Sequence, residues 1–382
     1  MMKEHGQMEL ARLTTGDIAY RYDKSIALIF GGRRKVLSTS LYNGGYHEDF
    51  EAVFNRDMTQ GAGMPCESFA PTYVESMRIV AQRLGLDPER VTGMGTAAHM
   101  ENVAVTSRSY KELTVTAIVT GGVETNGGRV GDPASYYKTA EKKYGTINIM
   151  LVIDADLPPG ILARALVTCT EAKTAALQEL MAPSRYSTGI ATGSGTDQTI
   201  VVANSESPLY FEGAGKHSKL GELIGLAVMA AVKEALAKQS GLTPAHQHDL
   251  LRRLRRFGIT EETLWERYRE TAREDALHKA RFIVTLEEMT VVPALFSLGV
   301  LFIHLYDEYL WGLLEKDETW QTAEKLLKEM AEVLPRMPQS HACMQEEYMP
   351  SFERFLVHAV AGSFSEGLTE MAPAAGNAKG DI

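Results

Sequence analysis

The run Ser187-Thr188-Gly189-Ile190-Ala191-Thr192-Gly193-Ser194-Gly195-Thr196-Asp197-Gln198 leads straight into Thr199-Ile200-Val201-Val202-Ala203-Asn204, and it constrains the chain more than any other stretch. A loop of glycines, hydroxyls and one carboxylate empties into an apolar, β-branched run, so it opens a strand. Glycine admits positive φ and lets main chain pass close to a ligand. In dinucleotide sites and P-loops the glycine loop opens a helix instead, so that phosphate meets a helix N-terminus. The order here argues against both. Alone, the stretch reads most plainly as a polar hairpin connection. Its functional reading is a ligand-facing loop in which Thr192, Gly193, Gly195, Thr196 and Asp197 offer donors, acceptors and clearance.

Three more segments have this character. The first is Asn43-Gly44-Gly45, a strong turn in which Asn43 also offers an amide. The second, Gly121-Gly122-Val123-Glu124-Thr125-Asn126-Gly127-Gly128-Arg129-Val130-Gly131-Asp132, follows the alternating strand 114–120. Arg129 could pair with Asp132 to hold this loop, or clamp a carbonyl while Asn126 donates to an oxyanion, with Glu124 beside them. The third, Gly213-Ala214-Gly215-Lys216-His217-Ser218-Lys219, lacks the Walker pattern because Tyr210 and His217 stand at the wrong positions. It leaves a helix N-terminus able to hold an anion beside His217, or one that Ser218 merely caps.

The remaining chain supplies the frame. Strands are expected at 25–30 and 36–40 as a hairpin around Gly31-Gly32, and at 147–154. Helices are expected at 69–84, from an Asp156 cap through Leu180, and at 220–237. Residues 91–110 contain Gly93-Met94-Gly95-Thr96-Ala97-Ala98-His99, read as a small-residue loop in which His99 is structural. Beyond Gly241 glycines thin out, and 250–257, 261–280, 284–314 and 324–333 read as helices. The Arg252–Arg256 run reads as a solvated face. The expected class is therefore α/β (α+β layered): a mixed β-sheet core packed by helices in residues 1–240, then an all-helical C-terminal domain in 241–371 and a disordered tail at 372–382.

A net charge of −10 disfavours nucleic acid as a partner. Cys66, Cys169 and Cys343 show neither disulfide nor zinc spacing, so no metal site is expected. The opening Met1-Met2-Lys3-Glu4-His5-Gly6 lacks a signal's apolar core, and a cytoplasmic setting is the expectation. Residues 290–306 carry no Asp, Glu, Lys or Arg, but they are short for a span and hold Pro293 and Gly299. A buried or interface helix is expected there, with no membrane span.

Five segments together resemble the adenosylcobinamide amidohydrolases of corrinoid salvage. They are Thr120-Gly121-Gly122-Val123 through Gly131-Asp132-Pro133, Gly145-Thr146-Ile147-Asn148, Thr170-Glu171-Ala172-Lys173-Thr174-Ala175-Ala176-Leu177-Gln178, Ala191-Thr192-Gly193-Ser194-Gly195-Thr196-Asp197, and His217-Ser218-Lys219-Leu220-Gly221-Glu222-Leu223-Ile224-Gly225. The resemblance covers about residues 25–237 and leaves 241–382 without a role. It implies hydrolysis of the amide joining the aminopropanol arm to the corrin ring, yielding adenosylcobyric acid and 1-amino-2-propanol. The corrinoid, with its cobalt, enters as substrate, and no further cofactor is expected.

On that reading Asp197 is assigned as general base and His217 as acid, with Asn126 and Arg129 polarising the carbonyl. Asn43, Gly44, Gly45, Glu124, Asp132, Thr192, Gly193, Gly195, Thr196, Ser218 and Lys219 would hold the ring. The reading requires Asn43, Asn126, Asp197 and His217 to share one mouth. A homodimer through the helical domain is the expected assembly. Two rivals remain: a non-catalytic corrinoid-delivery protein, and a self-processing Thr/Ser amidase like the ornithine acetyltransferase and β-aminopeptidase group, which 145–156 faintly resemble.

Overall fold

The computed structural model describes residues 6–59, 69–134, 137, 147–271, 277–334 and 342–364. The chain divides into two units, Met1–Pro244 and Ala245–Ile382. In the first, the strands are β1 (Met8–Arg12), β2 (Ile18–Arg21), β3 (Ser25–Ile29), β4 (Arg34–Ser38), β5 (Gly45–His47), β6 (Ala52–Asp57), β7 (Val91–Thr96), β8 (Ala104–Tyr110), β9 (Leu113–Gly121), β10 (Gly127–Gly128), β11 (Ile147–Ile153), β12 (Gly193–Ser194) and β13 (Gln198–Asn204). Its helices are α1 (Tyr73–Leu84), α2 (Pro159–Glu179) and α3 (Lys219–Ser240).

Two sheets form, with orders β1-β2-β3-β6-β7 and β5-β4-β13-β11-β9-β8, and β10 with β12 makes a small ribbon. Side-chain alternation stacks them. On β11, Ile149, Leu151 and Ile153 meet α2 and α3, whereas Met150 and Val152 meet Ile26, Leu28, Val53 and Met94 of the five-stranded sheet. Ala27, Ala52 and Phe54 point the other way, onto Met77, Val80 and Ala81 of α1. The layers therefore run α1, five-stranded sheet, six-stranded sheet, then α2 with α3. This is the layered α+β arrangement the pattern implied.

Several local expectations need correction. Strands β3 and β4 do not form a hairpin: β3 pairs with β2 and β6, and β4 with β13 and β5. The chain crosses between sheets at residues 30–33 because the Arg34 guanidinium is drawn into the interior by Asp17, at 2.7 Å. Gly93 and Gly95 lie in buried strand β7, not in a loop; a Cβ on Gly93 would meet the Phe54 ring at 2.2 Å. Helix α1 starts at Tyr73 instead of 69, since Thr72 and Glu75 form a capping box. Pro158, not Asp156, precedes α2; Asp156 is paired with Lys35 at 2.6 Å.

The second unit is built of α4 (Leu250–Leu254), α5 (Glu261–Thr271), α6 (Lys279–Thr290), α7 (Pro293–Leu310), α8 (Lys316–Val333) and α9 (Tyr348–Phe364). Leu254, Phe282, Leu295, Phe302, Leu327 and Phe352 sit in its core. Arg256 leaves the solvated face expected of it: it is 4% exposed and paired with Asp307, 5% exposed. The apolar stretch 290–306 is broken by Pro293, which starts α7. Among the described residues no single helix is long and apolar enough to cross a membrane, although α6 and α7, bent by 83°, pass by length and composition as a pair. The tail at 372–382, Cys66 and Gly145-Thr146 lie outside the described residues.

Candidate active site at one rim of the paired sheets

Register places the ends of β4 and β9 and the starts of β11 and β13 along one rim of the six-stranded sheet. The loops 39–44, 121–132 and 192–197 therefore share that rim. The last two are zipped together, with Gly127 opposite Ser194 and Gly128 opposite Gly193. Thr192 donates its N–H to the Gly128 carbonyl (2.9 Å), and its Oγ1 accepts from the Val130 N–H (2.9 Å).

Gly193 is the tight point. A Cβ there would stand 2.2 Å from Asp197 Oδ2 and 2.7 Å from Lys173 Nζ. Asp197 is ion-paired with Lys173 of α2, both side chains 11% exposed. Its oxygens also accept from the Ser194 N–H (3.0 Å) and Oγ (2.5 Å). A general base needs an open lone pair directed at water. The Asp197 oxygens are instead turned to Lys173 and to the Ser194 N–H and hydroxyl. Beside it Thr196 Oγ1 is buried without a hydrogen-bond partner, and Gly195 is exposed with open space around it.

In the neighbouring loop Asn126 is half-buried and Glu124 exposed, the latter's carbonyl accepting from Arg185 Nε. Arg129 lies along residues 189–190, with Nη1 donating to the Ile190 carbonyl at 3.4 Å. Asp132 does not reach toward a ligand. It accepts from the Arg129 N–H (2.7 Å) and Ser184 Oγ (2.6 Å), which makes it the loop's internal anchor. Burial raises its proton affinity, but hydrogen bonds from Ser184, Ser187 and the Arg129 backbone, with the Arg129 charge, outweigh that and hold the carboxyl below its ordinary value. A carboxyl lowered by folding stabilises the native state above its unfolded pKa, and that contribution fades as pH falls through the folded value. Thermal melts of Asp132→Asn across the acid range should accordingly show a shallower loss of stability with falling pH than the parent, the two curves converging at the acid end.

Two other expectations fail. The Asn43 side-chain amide is consumed by the Pro88 (2.9 Å) and Val91 (2.8 Å) carbonyls, and Asn43 itself takes φ 47°. With Gly44, whose Cβ would meet the Ser40 carbonyl at 1.9 Å, and Gly45 at φ 98°, it builds a turn. His217 is exposed at the opposite end of the layer. Lys219, beside it, sits over the Tyr110 ring at the β8–β9 turn, whereas Gln239 near the other end of α3 reaches His99. Lys216, next to His217, pairs with Glu171 of α2 (3.1 Å), so His217 stands by the α2–α3 pair and not among the strand ends that form the rim. Ser218 accepts from the Gly221 N–H (3.0 Å) as the helix cap, and Lys219 pairs with Glu222 (2.6 Å). His217 and Ser218 line a separate hollow of about 350 Å³ with Arg164. A larger open groove of about 660 Å³ runs between α2 and α3, lined by Thr170, Thr174, Gln178, Gly221 and Gly225. Thr174 and Gln178 tie it to the rim loop by donating to the Thr192 and Ala191 carbonyls (both 3.2 Å).

The same rim holds polar groups between the sheets that the motifs did not flag. Thr120, Asn148 and Gln198 stand side by side across β9, β11 and β13. Each stands next to an apolar residue of its inward row (Ile118, Met150 or Ile200). Reading alternate residues along each strand would have exposed this row. Asn55 of the facing sheet donates to Thr120 Oγ1 (2.7 Å) and accepts from Asn148 Nδ2 (2.8 Å). Two residues on, Asp57 meets His99 Nδ1 at 3.2 Å. Cys169 is no rival nucleophile, since burial pushes its thiol up to about 12 even beside Lys173. No group of three or more His, Cys, Asp or Glu suited to a metal ion occurs among the described residues.

A family model described as adenosylcobinamide amidohydrolase matches residues 10–244, ending where the first unit ends. An uncharacterized protein of Methanocaldococcus jannaschii is 35% identical over 231 residues, covering 56% of this chain and 87% of the relative. An adenosylcobinamide amidohydrolase of Methanosarcina mazei is 31% identical over 225 residues, covering 56% of this chain and 95% of the relative. The crystal structure of the PH0078 protein from Pyrococcus horikoshii aligns with 68% of this chain and 91% of its own at 13% identity and a TM-score of 0.31, a likeness too slight to bear on fold or function.

Proposed function

The chain belongs to the adenosylcobinamide amidohydrolase family, and from that membership we propose that it hydrolyses the amide between the aminopropanol arm and the corrin ring of adenosylcobinamide. The products are adenosylcobyric acid and 1-amino-2-propanol, and the role is salvage of corrinoids in the cytoplasm. One observation carries the reading to a place in the molecule: loops 127–132 and 192–197, some 65 residues apart in the chain, are held as one ribbon at a polar rim. A corrin carries many amides, and this rim offers Asn126, Arg129 and Thr196 as partners for them. A ring lying over the ribbon would extend past Thr174 and Gln178 into the groove between α2 and α3.

Arg129 and Asn126 are the groups proposed to polarise the scissile carbonyl, with water as the nucleophile. Lys173 and Asp197 hold the ribbon in place. The helical unit, which exposes Leu301, Leu310, Trp311 and Leu313, is proposed to mediate a homodimer. Incubation of the protein with adenosylcobinamide, followed by chromatography and mass spectrometry, tests the reaction. Adenosylcobyric acid and aminopropanol in equal amounts are the expected result. Tight binding without product would instead favour a corrinoid-delivery protein.

A further inference from the structure

We propose that His99, oriented by Asp57, is the base that activates the hydrolytic water, a role that rests on the amide hydrolysis proposed above. Asp57 closes β6 and points into the layer between the sheets, almost wholly buried. Its Oδ1 accepts from the Thr59 N–H (2.8 Å) and Oγ1 (2.6 Å), and its Oδ2 faces His99 Nδ1 (3.2 Å) and Lys24 Nζ (3.4 Å). A carboxylate at Nδ1 holds the proton on that nitrogen and leaves the Nε2 lone pair outward. The His99 side chain is 33% exposed, so solvent reaches the ring. The main chain behind the ring is held as well, because the His99 backbone N–H donates to Gln239 Oε1 at 3.0 Å. Gln239 in turn packs against Gly122, where the 121–132 loop departs.

A second, independent observation marks a ligand position beside this pair. Asn148 Nδ2 donates to two acceptors, Asn55 Oδ1 (2.8 Å) and the Gly95 carbonyl (3.1 Å), and this fixes which way the amide faces. Asn148 Oδ1 is then turned away, buried, with no donor. An open buried acceptor is satisfied by a ligand N–H, which the scissile amide supplies. Asn55 and Asp57 lie on one face of β6, about 7 Å apart along the strand, so Asn148, bonded to Asn55, and His99, bonded to Asp57, are neighbours on that face.

The chemistry balances without a further reactant. His99 Nε2 takes a proton from water as the oxygen bonds to the amide carbon. The same proton returns to the amide nitrogen as the C–N bond breaks, releasing a carboxyl group and a primary amine and leaving His99 neutral. Among the described residues Asp57 is the charged group paired with the ring, and Lys24 pairs with the same carboxylate oxygen.

The experiment compares the full chain with His99→Ala, Asp57→Asn and Asn148→Ala, each first checked for an unchanged melting profile and near-ultraviolet dichroism. His99→Ala should lower kcat about 1,000-fold, with KM for adenosylcobinamide within a few-fold of the parent, and added imidazole should restore part of the rate. Asp57→Asn should lower kcat without rescue by imidazole. Asn148→Ala should weaken corrinoid binding about tenfold. A folded His99→Ala protein that turns over within tenfold of the parent, or a loss confined to KM, overturns the assignment. If the parent forms no product, the hydrolytic reading itself falls and this role falls with it; an active parent with an active His99→Ala variant removes only the dyad.

Discussion

Arg34→Met is expected to destabilise the first unit by about 3–5 kcal/mol, the cost of stranding a buried carboxylate. Arg34 is 1% exposed and Asp17 fully buried. Each of its five N–H groups is engaged: Nε on Asp17 (3.1 Å), Nη1 on the Arg33 carbonyl (2.8 Å) and Asn204 Oδ1 (3.0 Å), Nη2 on the Thr15 carbonyl (2.6 Å) and Asp17 Oδ1 (2.7 Å). The pair ties the β1–β2 turn of one sheet to β4 and β13 of the other at the point where the chain crosses between them. For a unit of this size the loss should appear as a melting temperature lower by about 10 °C or more. Desolvation makes the two charges interdependent, so Asp17→Leu added to Arg34→Met should recover part of the loss. A single variant melting within 2 °C or so of the parent would show that hydrophobic stacking alone sets the sheet crossing.

That crossing also shows why some of the fold was legible in the sequence and some was not. Alternation is a local signal, and it marked β9, β11 and β13 closely. The glycine-rich loop 187–197 does open a strand, and α3 runs three residues past the expected 237 to Ser240, capped by Gly241, whose φ of 70° suits glycine. Partner choice is not local. The hairpin expected between β3 and β4 gave way to a buried ion pair whose two members are 17 positions apart, and Arg256 left its solvated face for Asp307, 51 positions away.

The site shows the same division. The reading needed Asn43, Asn126, Asp197 and His217 at one mouth; the loops of the first three share the rim, but the Asn43 amide is spent on its own turn, and His217 lies by α2 and α3 instead. Asn43 and Ser218 were misjudged because turn and cap chemistry uses the same polar atoms that a ligand would. His217 was misjudged because a helix N-terminus attracts an anion wherever it points, while its position depends on which way α3 runs over the sheet. The dyad partner of His99 stands 42 positions earlier, a spacing that matches no motif. Only strand register places them together.

Within the ribbon itself, Gly193→Ala should be clearly damaging, whereas Gly195→Ala should leave stability within about 0.5 kcal/mol. Both glycines belong to one motif, yet they do different work. At Gly195 an added Cβ meets nothing within 4 Å. At Gly193 it would meet Asp197 Oδ2 at 2.2 Å and Lys173 Nζ at 2.7 Å, far inside van der Waals contact. Neither group can yield freely, because each holds the other and both are mostly buried. The carboxylate would have to swing out, losing Lys173 and the Ser194 bonds together, at a cost of about 2–4 kcal/mol. The register of Gly128 opposite Gly193 would open with it, displacing Arg129 and Thr196 from the positions proposed to face the corrin. Displacement by about 1 Å is enough to lower kcat/KM by about 100-fold. Calorimetry and the adenosylcobinamide assay on the two variants separate the effects. If Gly193→Ala melts and turns over as the parent does, the Lys173–Asp197 pair does not hold the ribbon, and some other contact must.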